Sequence, residues 1–544
     1  MTKAIFTIAL LATFAAAPAV DSGAGPPTSP LTQRLLHANE IAGYTPVRPS
    51  VKVLGLDALA SVSGRTTKQL ARAGFQTAAV ENLRGPSAVP RGFVSQSSLI
   101  RFRTGREART FLATVVKEHS GTPPGVRRSA FALPAVLGAR GTGLIQPRSH
   151  GRLVEYDVLF VAGPFEYEVN VFSSNDAPSQ AGFVAAVTSY YHRLAKAARE
   201  AQLQRALDQV VATGVPGAVL LVRDGERTTR LTSGYGSLRP RTRMRAGDRF
   251  RVGSITKTFV ATVALQLVGE QKLGLEDTVE RWLPGVVPNG THITVRQLLN
   301  HTSGLFDYGG DRRFVADAFR HPLKNWTPRR IVAIATAHKP RFAPGAGWSY
   351  SDTNYYVLGL IIEAATKHSL AGELRHRIFA PLRLHDTSFP TGPRIAGHYA
   401  HGYFLRPLQD VSVGSPSVQW AAGALVSNAD DLARFYRALL DGRLLRADLL
   451  RAMETVVTPA PDFSYGLGLM KLREPCGSVW GHTGGSPGYV ANALNSKDGT
   501  RQVVVFVNAT AASLSAPVNG FQFFHLPKRA GNAVDRLIQT AYCR

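Results

Sequence analysis

Apolar residues recur three and four positions apart after Ser254, at Phe259, Val260, Val263, Ala264, Leu267 and Val268. That spacing predicts a helix with one face to bury. A second apolar helix is predicted over residues 355–365. Two pairs of strand-like runs stand apart in the chain. Residues 216–222 and 228–232 flank Asp224-Gly225, and residues 489–495 and 502–507 flank Asp498-Gly499. Asp-Gly between two such runs is a hairpin signal. A helix over 199–211 precedes the first hairpin, and another over about 533–542 follows the second.

The stretch before this reads differently. Residues 51–195 suggest a small α+β accessory domain: helix over 54–83, strand over 93–102, helix over 106–119. Two strands (153–161 and 166–172) then turn at Ala162-Gly-Pro164, and a helix over 180–194 completes it. Nothing in this stretch gathers a nucleophile, a base or ligands at meaningful spacing, and its role stays open among polymer binding, docking and a lid. Residues 21–50 contain Gly23-Ala-Gly-Pro-Pro27 and further prolines, the composition of a linker or a poorly ordered segment. Residues 1–20 read as a secretory signal, with Lys3, an apolar core over 4–17, and Ala17-Pro-Ala19 as a small-residue cleavage site. That run is too short to span a membrane comfortably, and no other stretch is long and apolar enough. The expected location is extracytoplasmic, secreted or associated with the cell wall.

Composition narrows the partners. The chain has 544 residues and a formal net charge of +26. No zinc spacing, basic helix or aromatic-basic RNA motif accompanies that charge, so nucleic acid is not expected. Anionic cell-envelope polymers suit a basic protein outside the cell, and an arginine-rich composition without a specific partner suits it equally. The two cysteines are Cys476 and Cys543. An even count in an oxidising compartment invites a disulfide, with two free thiols as the alternative.

The candidate chemistry lies in Arg251-Val-Gly-Ser-Ile-Thr-Lys257. With a helix starting at Ser254, a good N-cap residue, Ser254 and Lys257 fall one turn apart on one face. A serine hydroxyl needs a neighbour to take its proton, and a desolvated lysine can do so. Two motifs follow in order: Tyr350-Ser-Asp352 before the second helix, and His482-Thr-Gly484 before a strand-like run. With these three motifs, and with Asn300-His-Thr-Ser-Gly-Leu305, Phe342-Ala-Pro-Gly345, Ala421-Ala-Gly423 and Tyr465-Gly-Leu-Gly468, the chain resembles the serine β-lactamase and penicillin-binding protein family, in the branch of class C β-lactamases, DD-carboxypeptidases and related esterases. The resemblance covers roughly residues 200–544. It implies the α/β β-lactamase/DD-peptidase-like fold, an antiparallel sheet flanked by helices with a mostly helical region, over 196–544.

It also implies roles. Ser254 forms an acyl-enzyme, Lys257 eases loss of its proton, and Tyr350 joins the proton relay as a phenolate or a hydrogen-bonded partner. His482 supports the tyrosine or the substrate, and Thr483 offers a hydroxyl to a substrate carboxylate. The backbone N–H groups of Ser254 and Gly485 form the oxyanion hole. Gly484, Asp352 and Trp420 fall at the substrate, and neither a metal nor an organic cofactor is required. Asp352 departs from the motif, whose third residue is usually Asn. An ionised Asp only accepts hydrogen bonds, which disfavours amide-bearing substrates and leaves ester cleavage untouched. Gly484-Gly-Ser-Pro-Gly488 fits the nucleophile elbow of α/β-hydrolases, but Pro487 has no N–H to donate as that motif requires. The expected activity is a D-alanyl-D-alanine carboxypeptidase on cell-wall peptides. The alternatives are a carboxylesterase, a class C-like β-lactamase, or a penicillin-recognising sensor.

Overall fold

Alternation along the strands after residue 202 decides how the chain is layered. In the computed structural model, Val504 and Phe506 point into one core while Val503, Val505 and Val507 point into another, the two-residue period of a strand buried on both faces. The structure describes residues 180–511 and 524–543 continuously and, before them, a set of strands and short helical pieces between 45 and 173. The chain divides into two units, Met1–Ala201 and Gln202–Arg544.

In the second unit, nine described strands form one antiparallel sheet. These are β8 (Gly217–Asp224), β9 (Arg227–Leu238), β10 (Arg241–Arg243), β11 (Val457–Ala460), β12 (Phe463–Tyr465), β13 (Met470–Glu474), β14 (Gly477–Ser486), β15 (Tyr489–Asn495) and β16 (Arg501–Val507). Their order is β10-β9-β8-β16-β15-β14-β13-β12-β11. The two predicted hairpins therefore lie side by side, β8 against β16, with Leu220 opposite Val505. One face packs on Leu203, Leu207 and Val210 of α1 (Gln180–Val211) and on Val534, Leu537 and Ile538 of α5 (Lys528–Tyr542). The other face packs on α2 (Thr256–Gly269), α3 (Asp352–Thr366) and α4 (Ala429–Leu440). There Phe259 of α2 stacks on Phe435 of α4 with ring centroids 3.6 Å apart. Helix α2 is apolar nearly all round, so it runs between the sheet and the other helices instead of lying on the surface. Cys476 and Cys543 are joined in a disulfide with Cα atoms 5.4 Å apart, tying the end of α5 to the β13–β14 turn.

In the first unit, the strands described are β1 (Thr45–Leu54), β2 (Phe75–Arg84), β3 (Ser95–Phe102), β4 (Arg127–Phe131), β5 (Arg140–Arg148), β6 (Gly151–Ala162) and β7 (Phe165–Ser173). They form an antiparallel sheet in the order β1-β2-β3-β7-β6-β5-β4. The β6–β7 hairpin is the one expected at Ala162-Gly-Pro164. The helix expected over 54–83 is corrected: among the described residues of that stretch only Thr67–Arg72 is helical, and Phe75–Arg84 is a strand paired on both sides. A run such as Thr77-Ala-Ala-Val80 suits either period, and cross-strand pairing decides it. The helices expected over 180–194 and 199–211 are one element, α1. The secretory signal, most of the linker and most of the helix expected over 106–119 lie outside the described residues.

Candidate active site

Ser254 enters its helix by a different route from the one its N-cap preference predicts. Gly253–Ile255 form a 3₁₀ turn ahead of α2, without a side-chain cap. The Ser254 hydroxyl is turned toward Lys257, whose Nζ lies 3.0 Å away. Thr256 holds the turn instead: its hydroxyl donates to Gly253 O at 2.7 Å and accepts from Leu425 N at 3.1 Å. Gly253 has φ +52°, and a Cβ there would lie 2.4 Å from Gly485 O. A Cβ at Gly484 would lie 1.9 Å from Val252 O and 3.0 Å from Ser254 N. Paired glycines thus let β14 pass against the serine turn, bringing the backbone of Ser254 and Gly485 together as an oxyanion site requires.

Lys257 is fully buried, and three oxygens surround its Nζ: Ser254 Oγ, Ala422 O at 2.7 Å and Asp352 Oδ1 at 2.7 Å. Burial lowers its pKa below the ordinary lysine value, against the opposing pull of the Asp352 carboxylate. A neutral amine has two hydrogens and one lone pair. With the hydrogens on Ala422 O and Asp352, the lone pair is left facing Ser254, the arrangement of a base poised to take the hydroxyl proton.

The Tyr350 hydroxyl faces Ser254, and its ring lies 4.9 Å from Lys257 Nζ. Burial, reinforced by the Asp352 carboxylate, pushes the phenol well above its usual range. Of the two expectations for Tyr350, the neutral hydrogen-bonded phenol fits this environment and the phenolate does not. Behind it sits an aromatic and histidine layer. The His301 ring is 4.3 Å from Tyr350 and 4.7 Å from Tyr465. His301 Nδ1 accepts from Ser351 N at 3.2 Å and lies 3.0 Å from Asn354 Nδ2. Asn354 is buried in that contact and turned away from any substrate.

His482 belongs to this layer and does not line the cavity at Ser254. Its Nε2 bonds the Tyr465 hydroxyl at 2.9 Å and its Nδ1 the Thr483 carbonyl at 2.5 Å. Burial, helped by Lys257, holds its pKa down to about 3, so the ring is neutral at physiological pH. The positive charge that a lysine would bring to this position is absent. Trp420 also departs from its expected place at the substrate. Its ring packs over Gly359 of α3 and lies 5.6 Å from Tyr356, while its neighbours Val418 and Gln419 line the cavity. A tryptophan is large and apolar enough that helix packing captured it. Ser486 is buried and donates to Gln419 Oε1, away from Ser254.

Ser254, Tyr350, Asp352, Thr483, Gly484 and Gly485 do share one cavity, of about 290 Å³. Much of its lining is aromatic. Phe319 lies 5.9 Å from Phe404 and 6.4 Å from Phe524, and Phe314 lies 5.2 Å from Tyr308. Among the described residues lining it, Arg251 is the only lysine or arginine, and its Nη2 donates to Pro393 O, Ser412 O and Gly414 O. Sequence reasoning missed Asp307. This buried carboxyl accepts from Gly309 N at 3.1 Å and from the Asp352 backbone, while its Oδ2 has no partner. Burial, with the nearby Asp352 carboxylate, raises its pKa to about 8. The available signal was an acid set among apolar residues in Leu305-Phe306-Asp307-Tyr308.

Comparison with known proteins agrees with this geometry. Residues 203–520, more than half of the chain, match the family model described as beta-lactamase. The chain is 40% identical to a D-stereospecific amidohydrolase from Streptomyces sp., covering 63% of this chain and 98% of that one with a TM-score of 0.56. It is 29% identical to D-amino acid amidase from Ochrobactrum anthropi SV3, over 63% and 98% of the two chains with a TM-score of 0.55. Penicillin-binding protein 4* of Bacillus subtilis (strain 168) is 29% identical over 309 residues, 54% of this chain and 68% of its own length. The chain belongs to the beta-lactamase family of serine hydrolases.

Proposed function

We propose that this protein hydrolyses amides of apolar D-amino acids through an acyl-enzyme on Ser254. The observation that carries this reading is the aromatic lining of Tyr308, Phe314, Phe319, Phe404 and Phe524 in the cavity that also holds Ser254. It suits a bulky apolar side chain better than the methyl groups of a D-alanyl-D-alanine terminus. The likeness to a D-stereospecific amidohydrolase and a D-amino acid amidase supports both the amide bond and the D configuration.

The steps follow from the site. Lys257 takes the proton as Ser254 Oγ attacks the carbonyl carbon, and the Ser254 and Gly485 N–H groups stabilise the oxyanion. The neutral Tyr350 hydroxyl donates its proton to the departing nitrogen as the C–N bond breaks, and the proton held on Lys257 Nζ passes to the Tyr350 oxygen, returning both groups to their starting state. Water, deprotonated by the same pair, then opens the ester and releases the amino acid.

A D-alanyl-D-alanine carboxypeptidase is the second reading. Arg251 favours it, as a cation at the cavity able to meet a terminal carboxylate, as does the likeness to penicillin-binding protein 4*. Against it stand the three carbonyls already held by Arg251 and the neutral His482. The disulfide supports an extracytoplasmic site of action, where anionic envelope polymers are available partners.

The test is ammonia release from D-phenylalanine amide by wild type and by Ser254→Ala. A D-Ala-D-Ala-terminated acyl peptide and a fluorescent penicillin are run in parallel. Ser254-dependent ammonia release is expected. Turnover of the acyl peptide alone would move the assignment to the carboxypeptidase, and a penicillin adduct that persists without turnover of either substrate would move it to a sensor.

A further inference from the structure

Among the described residues, Asp352 is the one carboxylate that touches both Lys257 and the cavity. Its Oδ1 lies 2.7 Å from Lys257 Nζ, and about a quarter of its side chain is exposed in the wall beside Ser254 and Tyr350. It occupies the first turn of α3, where negative charge is favoured. We propose that Asp352 is a specificity-determining residue that binds the free α-ammonium group of the substrate, so that the protein acts on unblocked aminoacyl amides and rejects N-acylated ones. The inference rests on the amidohydrolase reading above and deepens it.

Two arguments converge. The first is hydrogen-bond chemistry. A carboxylate accepts and cannot donate, so it matches an –NH₃⁺ group and leaves the carbonyl of an N-acyl substrate without a donor. The second is charge balance. While Lys257 is protonated, the Lys257–Asp352 pair is neutral. To accept the Ser254 proton, Lys257 must first be uncharged, and Asp352 then carries an unbalanced negative charge on a half-buried side chain in the cavity wall. Of the other acids nearby, burial pushes Asp307 toward its protonated form, and Asp410, which also lines the cavity, already has its oxygens on His401 Nδ1 and the Ser412 backbone N–H. Arg251 is held by three backbone carbonyls. A substrate ammonium beside Asp352 restores neutrality while leaving the Lys257 lone pair on Ser254. An N-acyl substrate brings no charge and cannot do so.

The experiment compares kcat/KM for D-phenylalanine p-nitroanilide and N-acetyl-D-phenylalanine p-nitroanilide, in wild type and Asp352→Asn. Because both substrates meet the same catalytic groups, damage to the chemistry cancels in their ratio. Wild type is expected to favour the free amine by about 10- to 100-fold, the size of a charge-assisted hydrogen bond at a buried site, and Asp352→Asn to bring the ratio close to one. Equal turnover of both compounds by wild type, or an unchanged ratio in Asp352→Asn, overturns the inference while leaving the amidohydrolase reading intact. Turnover of neither compound by wild type overturns both. If Asp352→Asn is inactive, calorimetric binding of D-phenylalanine amide and its N-acetyl form to Ser254→Ala, with and without Asp352→Asn, gives the same ratio. Loss of preference on adding Asp352→Asn supports the assignment, and a retained preference overturns it.

Discussion

The two sides of Tyr350 use similar titratable residues for opposite ends. In front, Lys257 and Asp352 form an ion pair beside Ser254, with Asp352 open to the cavity. Behind, His301 and His482 are fully buried among aromatic rings, and both lie well below the usual histidine range. Desolvation acts on both sides. In front, an opposite charge at 2.7 Å opposes it and a buried lysine remains a group whose proton can move. Behind, the Lys257 charge adds to desolvation, no carboxylate opposes it in either ring, and the rings become neutral struts. The presence of a histidine in a catalytic motif therefore does not decide its role. What faces its nitrogens does.

The largest expected effect tests the front. Ser254→Ala or Lys257→Ala should lower kcat/KM by about 10⁴-fold or more, as loss of a member of a nucleophile–base unit does. A Lys257→Ala enzyme within tenfold of wild type would move the base elsewhere and dissolve the contrast.

Asp307 sharpens the comparison, since it is buried like the histidines yet sits beside the front pair. Its folded pKa of about 8 lies above the ordinary aspartate value near 4. The folded state therefore holds this proton longer than the unfolded state. Between pH about 4 and about 8 that costs stability, by at most about 1.4 kcal/mol per pH unit, and the cost levels off above about 8. Asp307→Asn removes the ionisation, so its stability relative to wild type should rise from pH 5 to pH 8, read from urea midpoints. A difference that does not grow with pH would remove Asp307 from the protonated class.

Smaller effects probe the back. His482→Gln should keep kcat/KM within about tenfold of wild type and leave the pH profile between 6 and 8 unchanged, while costing about 1–3 kcal/mol for the broken contact to Tyr465. A limb near pH 6.5 that disappears in His482→Gln would turn the strut back into a titrating group. Smallest of all, Trp420→Phe should lower the melting temperature by a few degrees and leave KM for D-phenylalanine amide within about twofold, because the ring packs on Gly359 outside the cavity.

Much of the second unit is legible from its sequence. Asp224-Gly225 and Asp498-Gly499 announce both central hairpins, and the spacing of Ser254 and Lys257 predicts the contact the fold makes. These features are local, set by turn chemistry and helical period. What escapes depends on three-dimensional neighbours. Nothing in the order of residues says that Tyr465 lies opposite His482, that Gly359 makes room for Trp420, or that Asp352 turns toward Lys257. In the first unit, short apolar runs fit two periods at once, so β2 reads as helix until its partners β1 and β3 are known.

The crossing of Gly253 and Gly484 has a consequence for anyone redesigning this protein. A single methyl group at either position collides with backbone, not with a side chain that could swing aside. The spacing of the Ser254 and Gly485 N–H groups is therefore set by the main chain, and substitutions at either glycine are expected to abolish activity. The aromatic wall is built otherwise. Phe314 and Phe319 hang from the helix Arg312–Arg320, and Phe404 from the strand Tyr403–Leu405. A library confined to those three codons can change which side chains are accepted while leaving the bond-breaking apparatus as it stands.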